Sequence, residues 1–142
     1  MPALHSYDYA VVRVVPRVER EEFINVGVIL FCRACRFLQA EVEVDRERLL
    51  ALDPQLDLAT VERHLAAIPR ICAGGEGAGP LGHLSQAERF HWLTTPRSTV
   101  IQPSPVHAGL CADPAAALAH LMATVVRRPA PPPVASSRPG DP

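Results

Sequence analysis

The sequence predicts an α+β fold, an antiparallel meander sheet of three to four strands packed on one face by two or three helices. Three observations lead there. β-branched and aromatic residues crowd the first 44 positions, and the breaks between those runs are too short for a parallel crossover. Beyond them, Asp45, Asp57, Ser85 and Asp113 each stand where a helix needs a cap. The 142 residues suffice for one core, so we place a single domain over residues 1–128 and a disordered proline-rich tail over residues 129–142.

The first strand runs from Tyr7 to Val15 and stops at Pro16. Its period of two puts Ala10, Val12 and Val14 on one face. Tyr7, Tyr9, Val11, Arg13 and Val15 share the other, so Arg13 stands among apolar neighbours. Arg17 to Glu22 reads as a hairpin connection and Phe23 to Cys32 as the second strand, where Gly27 marks a bulge or a close backbone approach. After the turn Cys32-Arg33-Ala34-Cys35, the third strand spans Arg36 to Val44, with Leu38, Ala40, Val42 and Val44 inward and Gln39, Glu41 and Glu43 toward water.

Asp45 opens a short helix that ends at Asp53-Pro54, and Asp57 a longer one with Leu58, Val61, Leu65, Ile68 and Cys72 on one stripe. Pro69 is expected to kink or end it. Gly74 to Gly82 reads as a mobile loop. Ser85-Gln86-Ala87-Glu88 is a capping box, opening a helix to about Leu93. Thr99 to Gln102 is a candidate fourth strand, and Asp113-Pro114 starts a last helix that ends near Arg127.

Composition excludes more than it assigns. The net charge of -1 and 5% aromatic content give neither a basic face nor a stacking platform, which argues against nucleic-acid binding. No apolar run reaches the roughly 20 residues a membrane helix requires, and the N-terminus has no leader pattern. A cytoplasmic protein with its four cysteines reduced is the expectation. Cys32-x-x-Cys35 lacks the second ligand pair that tetrahedral zinc needs and sits in a turn rather than at a helix start, so we read ordinary thiols, no metal and no cofactor. The glycine run lacks the Gly-Lys-Ser/Thr ending of a phosphate loop.

The segment Pro96 to Gly109 is the candidate site. Arg97 offers a planar fork, Ser98 and Ser104 offer hydroxyls, and His107 and the backbone near Gly109 complete a set suited to a phosphate or carboxylate. Arg13 either joins Arg97 on a shared ligand or pairs with Glu41 or Glu43. The same segment also reads as a structural crossing with Arg97 paired to a carboxylate of the meander. No nucleophile elbow accompanies the serines, and no acid follows His107 before Asp113, so no catalytic residue is assigned.

Three blocks stand in order: Tyr9-x-x-Val12-Arg13-x-x-Pro16, then Glu19-Arg20-x-x-Phe23-x-Asn25-Val26-Gly27-Val28-x-Leu30, then Pro96-Arg97-Ser98 through Ser104-Pro105-Val106-His107-x-Gly109 to Asp113-Pro114. Together they resemble a bacterial domain-of-unknown-function family, number three thousand and thirty-seven, up to about Val126. The resemblance implies no established activity. It does imply a frequent gene neighbour, a HipA-like kinase-fold protein, and hence a partner or regulatory role. The function expected is a non-enzymatic accessory domain with a small anion-binding or docking site at Arg13, Arg97, Ser98, Ser104, His107 and Gly109. The alternative is an enzyme acting on phosphate esters or nucleic acid, with His107 as general base and the arginines as charge stabilisers.

Overall fold

The computed structural model describes residues 3–129. The tail expected from Pro129 onward therefore lies, from residue 130, outside the described residues. β1 (His5–Val14), β2 (Ile24–Cys32) and β3 (Phe37–Val42) form the antiparallel meander. Two more short strands, β4 (Ile101–Pro103) and β5 (His107–Cys111), share the far side of β1. β4 pairs with Val12–Val14 and β5 with His5–Tyr9, both antiparallel. The α+β class holds, with five strands in the sheet.

Among the described residues four α-helices accompany it: α1 (Arg46–Leu52), α2 (Leu58–Ala73), α3 (Gln86–Thr94) and α4 (Pro114–Leu121), the last continuing as a π-type turn over Met122–Val126. The capping chemistry acts as expected. Asp45, Asp57 and Asp113 accept from the amides of Arg48, Thr60 and Ala115, and Ser85 and Glu88 cap each other's free donors.

The helices divide between the two faces. α1, α2 and α3 pack Leu49, Leu58, Val61, Leu65, Ile71, Phe90 and Leu93 against Val12, Val14, Ile29, Phe31 and Leu38. α4 and its π turn cover the opposite face, setting Leu118, Leu121, Met122 and Val126 on Val28, Leu30 and Cys32. One-sided packing is therefore corrected to packing on both faces. The reason lies in β2, whose run from Val26 to Cys32 is buried without interruption. A strand apolar on both of its faces needs two covers.

A bulge interrupts β2 near its start. Val12 pairs with Gly27 but Arg13 pairs with Asn25, leaving Val26 as the extra residue. Val26 and Ile24 then join the same core as Ile29 and Phe31, and Asn25 is turned to the α4 face, where its Nδ2 donates to Val125 O at 3.0 Å. Gly27 permits the crowding, because a Cβ there would lie 2.6 Å from the Glu41 carbonyl oxygen.

Two other expectations shift. Pro69 does not end α2: the helix runs on to Ala73, and buried Ile71 and Cys72 hold that last turn in the core. The glycine-rich stretch folds into 3-10 turns over Glu76–His83, closed by Gly75 N donating to Gly82 O at 3.3 Å, with Ala78 and Leu81 packed on the core. No helix among the described residues is long and apolar enough to cross a membrane.

Candidate functional site

The candidate segment Pro96 to Gly109 holds β4, where a fourth strand is expected, and the start of β5, which is not expected. Pro103 and Pro105 lack amide donors and break the ladder between β4 and β5, opposite Val11. Ser104 repairs the break. Its amide donates to Val11 O at 2.7 Å, its Oγ accepts from Val11 N at 2.8 Å, and the hydroxyl donates to Pro105 O at 2.8 Å. At 2% exposure, Ser104 has its hydrogen-bonding groups committed to the sheet. Gly109 lies within β5 because the Tyr7 ring occupies the space beside it: a Cβ would meet Tyr7 Oη at 2.5 Å. Burial raises the Tyr7 pKa, helped by Tyr9 and Cys111.

Arg97 sits on the three-helix side. Its guanidinium carbon lies 4.4 Å from the Trp92 ring centroid, and its Nη2 donates to Trp92 O at 2.8 Å. No carboxylate among the described residues pairs with it. With His64, Ile68, Ile71 and Trp92 it lines a cavity of about 260 Å³, which shares His64, Thr99 and Ile101 with an adjoining groove of about 540 Å³ between α2 and β4. Ser98 is exposed nearby in sequence.

Arg13 faces the other way, as the β1 period dictates. It stands in register with Asn25 on β2 and Gln102 on β4, forming a polar row across three strands. The guanidinium carbon lies 4.3 Å from the centroid of the Phe23 ring. Among the described residues the Arg13 side chain makes no hydrogen bond and no ion pair, and its Nε is sealed from solvent without an acceptor. Asn25 Oδ1 beside it is equally sealed and without a donor. Glu43 is occupied by Arg127 at 3.1 Å, and neither it nor Glu41 pairs with Arg13. On the same face, His107 pairs in register with Tyr9, ring centroids 5.4 Å apart, with Tyr7 a further 6.0 Å along.

The six residues named from sequence thus do not form one constellation. Arg13, His107 and Gly109 share the α4 face, Arg97 lies on the opposite face, Ser104 is built into the ladder, and Ser98 stands exposed outside any strand or helix. Sequence reasoning missed Phe23 and Asn25 as neighbours of Arg13. Asn25 is brought there only by the bulge, for which Gly27 is the visible signal.

The four cysteines are free thiols. Burial pushes the Cys72 thiol up to about 12 and raises Cys111, and Cys35 is raised by its hydrogen bond with Cys32, which favours the protonated thiol. Cys72 and Cys111, buried as well as raised, are poor nucleophiles at neutral pH. Among the described residues no three histidine, cysteine or acidic side chains are grouped to hold a metal ion. Cys35 is exposed while Cys32, Cys72 and Cys111 are buried. Titration of the native protein with a chromogenic disulfide at pH 8 is therefore expected to release one equivalent rapidly and the other three only on denaturation; a Cys35→Ser variant should abolish the fast phase.

Comparison with known proteins gives one match. The model of a family described as a protein of unknown function (DUF3037) matches residues 9–126. No curated protein and no solved structure matches.

Proposed function

Since the chain belongs to the DUF3037 family, whose description assigns no activity, we propose from its own geometry that it is an accessory interaction domain that grips an acidic group of a partner protein at Arg13. The observation that carries this reading is the unpartnered Arg13 guanidinium, seated on Phe23 with its Nε buried and unbonded. A buried polar group left without a partner costs about 1–3 kcal/mol, and the Nη atoms of the same guanidinium, which are not sealed, leave an edge that an external acidic group can bond. A guanidinium preset on an aromatic ring loses little freedom on engaging a carboxylate or phosphate. The bulge that turns Asn25 toward it is the kind of device that re-aims side chains beside sites.

A HipA-like kinase-fold protein, the neighbour implied by the family resemblance, is the first partner to test. The purified neighbour should be retained by the immobilised domain, released by Arg13→Met, and unaffected by Ser98→Ala. Arg13→Met should meanwhile leave the unfolding free energy unchanged or raise it, because it removes an unpaired half-buried charge. Unaltered retention by Arg13→Met, or a stability loss above about 1 kcal/mol, would mark Arg13 as structural.

Catalysis on phosphate esters or nucleic acid draws less support. His107 has an aromatic neighbour rather than an orienting acid, and Arg97, the charge stabiliser it would need, lies on the other face.

A further inference from the structure

β5 is an edge strand without the usual protection. Among the described residues it pairs with β1 and with no other strand. Edge strands expose a row of free amides and carbonyls, and proteins commonly guard them with charge, proline or a covering element. Between Arg97 and Asp113 there is no charged residue, and the prolines stop at Pro105, before the strand begins. The other edge, β3, carries Glu41.

The side chains at this edge are apolar as well. Leu110 is 67% exposed, Leu4 64% and Val106 46%, three of the seven large hydrophobic side chains exposed among the described residues. The register places them together. Leu110 is opposite Ser6, Ala108 opposite Asp8 and His5 opposite Cys111, so by alternation Val106, Ala108, Leu110 and Leu4 project from one face of the sheet at its free margin.

We propose that β5 is a self-pairing edge: two copies of this chain join antiparallel through β5 about a two-fold axis at Gly109, making one continuous sheet. The sequence is compatible with its own inversion. With Gly109 on the axis, Ala108 meets the partner's Leu110 and Leu110 meets the partner's Ala108, extending the Leu4–Val106 strip across the junction. His107 meets the partner's Cys111 on the other face. No like charges face each other, a requirement that isologous pairing places on any strand. A foreign strand would find no charge here to select it, which favours a second copy over another protein. The inference is independent of Arg13, which lies on β1 at the β4 end.

Sedimentation velocity from low to high micromolar concentration tests it. The wild-type chain is expected to shift from monomer to dimer, and Leu110→Lys to remain monomeric throughout with an unchanged circular dichroism spectrum. Val106→Lys should act in the same direction, and Val18→Lys, at the exposed β1–β2 connection, should dimerise as wild type does. A wild-type chain that stays monomeric at every concentration overturns the proposal, as does a dimer that persists in both edge variants.

Discussion

Arg89→Met is expected to destabilise the fold by about 3 kcal/mol, roughly 10 °C in melting temperature for a domain of this size. Arg89 lies on α3 at 7% exposure, yet has no acidic partner among the described residues. Its Nη1 donates to the carbonyls of Ile71 at 2.9 Å and Cys72 at 2.8 Å, and its Nε to Leu84 O at 3.2 Å. Ile71 O also accepts from Gly74 N at 3.2 Å, so Arg89 adds a second donor there, while Cys72 O belongs to the open end of α2 and Leu84 O to the turn before α3. One guanidinium therefore closes α2 and fastens it to α3, a role the hydrogen-bond geometry of arginine suits. Methionine fills much of the volume but removes the Arg89 donor from Cys72 O and Leu84 O and leaves Ile71 O with Gly74 N alone, and lysine offers a point charge in place of the fork. Gly74 belongs to the same joint: its φ is +75°, and a Cβ there would meet Arg89 Nη1 at 2.5 Å. Chemical denaturation monitored by Trp92 fluorescence reads the loss. A change below about 0.5 kcal/mol would mean that water replaces these bonds.

Gly27→Ala is expected to cost a similar amount, about 3 kcal/mol, through a different mechanism. The added methyl would sit 2.6 Å from a backbone oxygen, Glu41 O, and 3.2 Å from Val42 Cγ2. A backbone atom in a ladder cannot move aside as a side-chain tip can, so β2 and β3 must separate or the bulge must slide. Sliding would return Asn25 toward the core and break its bond to Val125 O. The variant should therefore lose partner binding together with stability, whereas Arg89→Met should lose stability alone while it remains folded. Unfolding and binding measured on both variants separate the two outcomes.

Local chemistry was legible in the sequence. The capping box at Ser85, the Asp113-Pro114 start and the bulge glycine at Gly27 each act through neighbours a few residues away, and each holds in the structure. The period of two in β1 identifies Arg13 as a polar group among apolar ones. Features set by distant partners escaped. β5 was hidden because Pro103, Pro105 and Gly109 disguise a strand whose partner lies about a hundred residues earlier. The second helical cover escaped because β3 alternates cleanly, as a one-sided sheet would, while β2 is apolar on both faces. Arg89 gave no signal, since all its acceptors are main-chain carbonyls, two of them 17 and 18 residues away. The joining of Arg13 and Arg97 fails on parity, because Gln102 and Ile101, adjacent in β4, pair with Arg13 and Val14 on opposite faces.

The most direct measurement is an NMR titration of the folded protein with inorganic phosphate at constant ionic strength, following the Nε–Hε signal of Arg13, assigned by its loss in Arg13→Met. The expected result is a saturable shift of that signal together with the side-chain amide of Asn25, absent in a parallel titration with chloride. An Arg13 signal that stays fixed while phosphate moves only exposed arginines such as Arg17 would contradict the placement of the binding site.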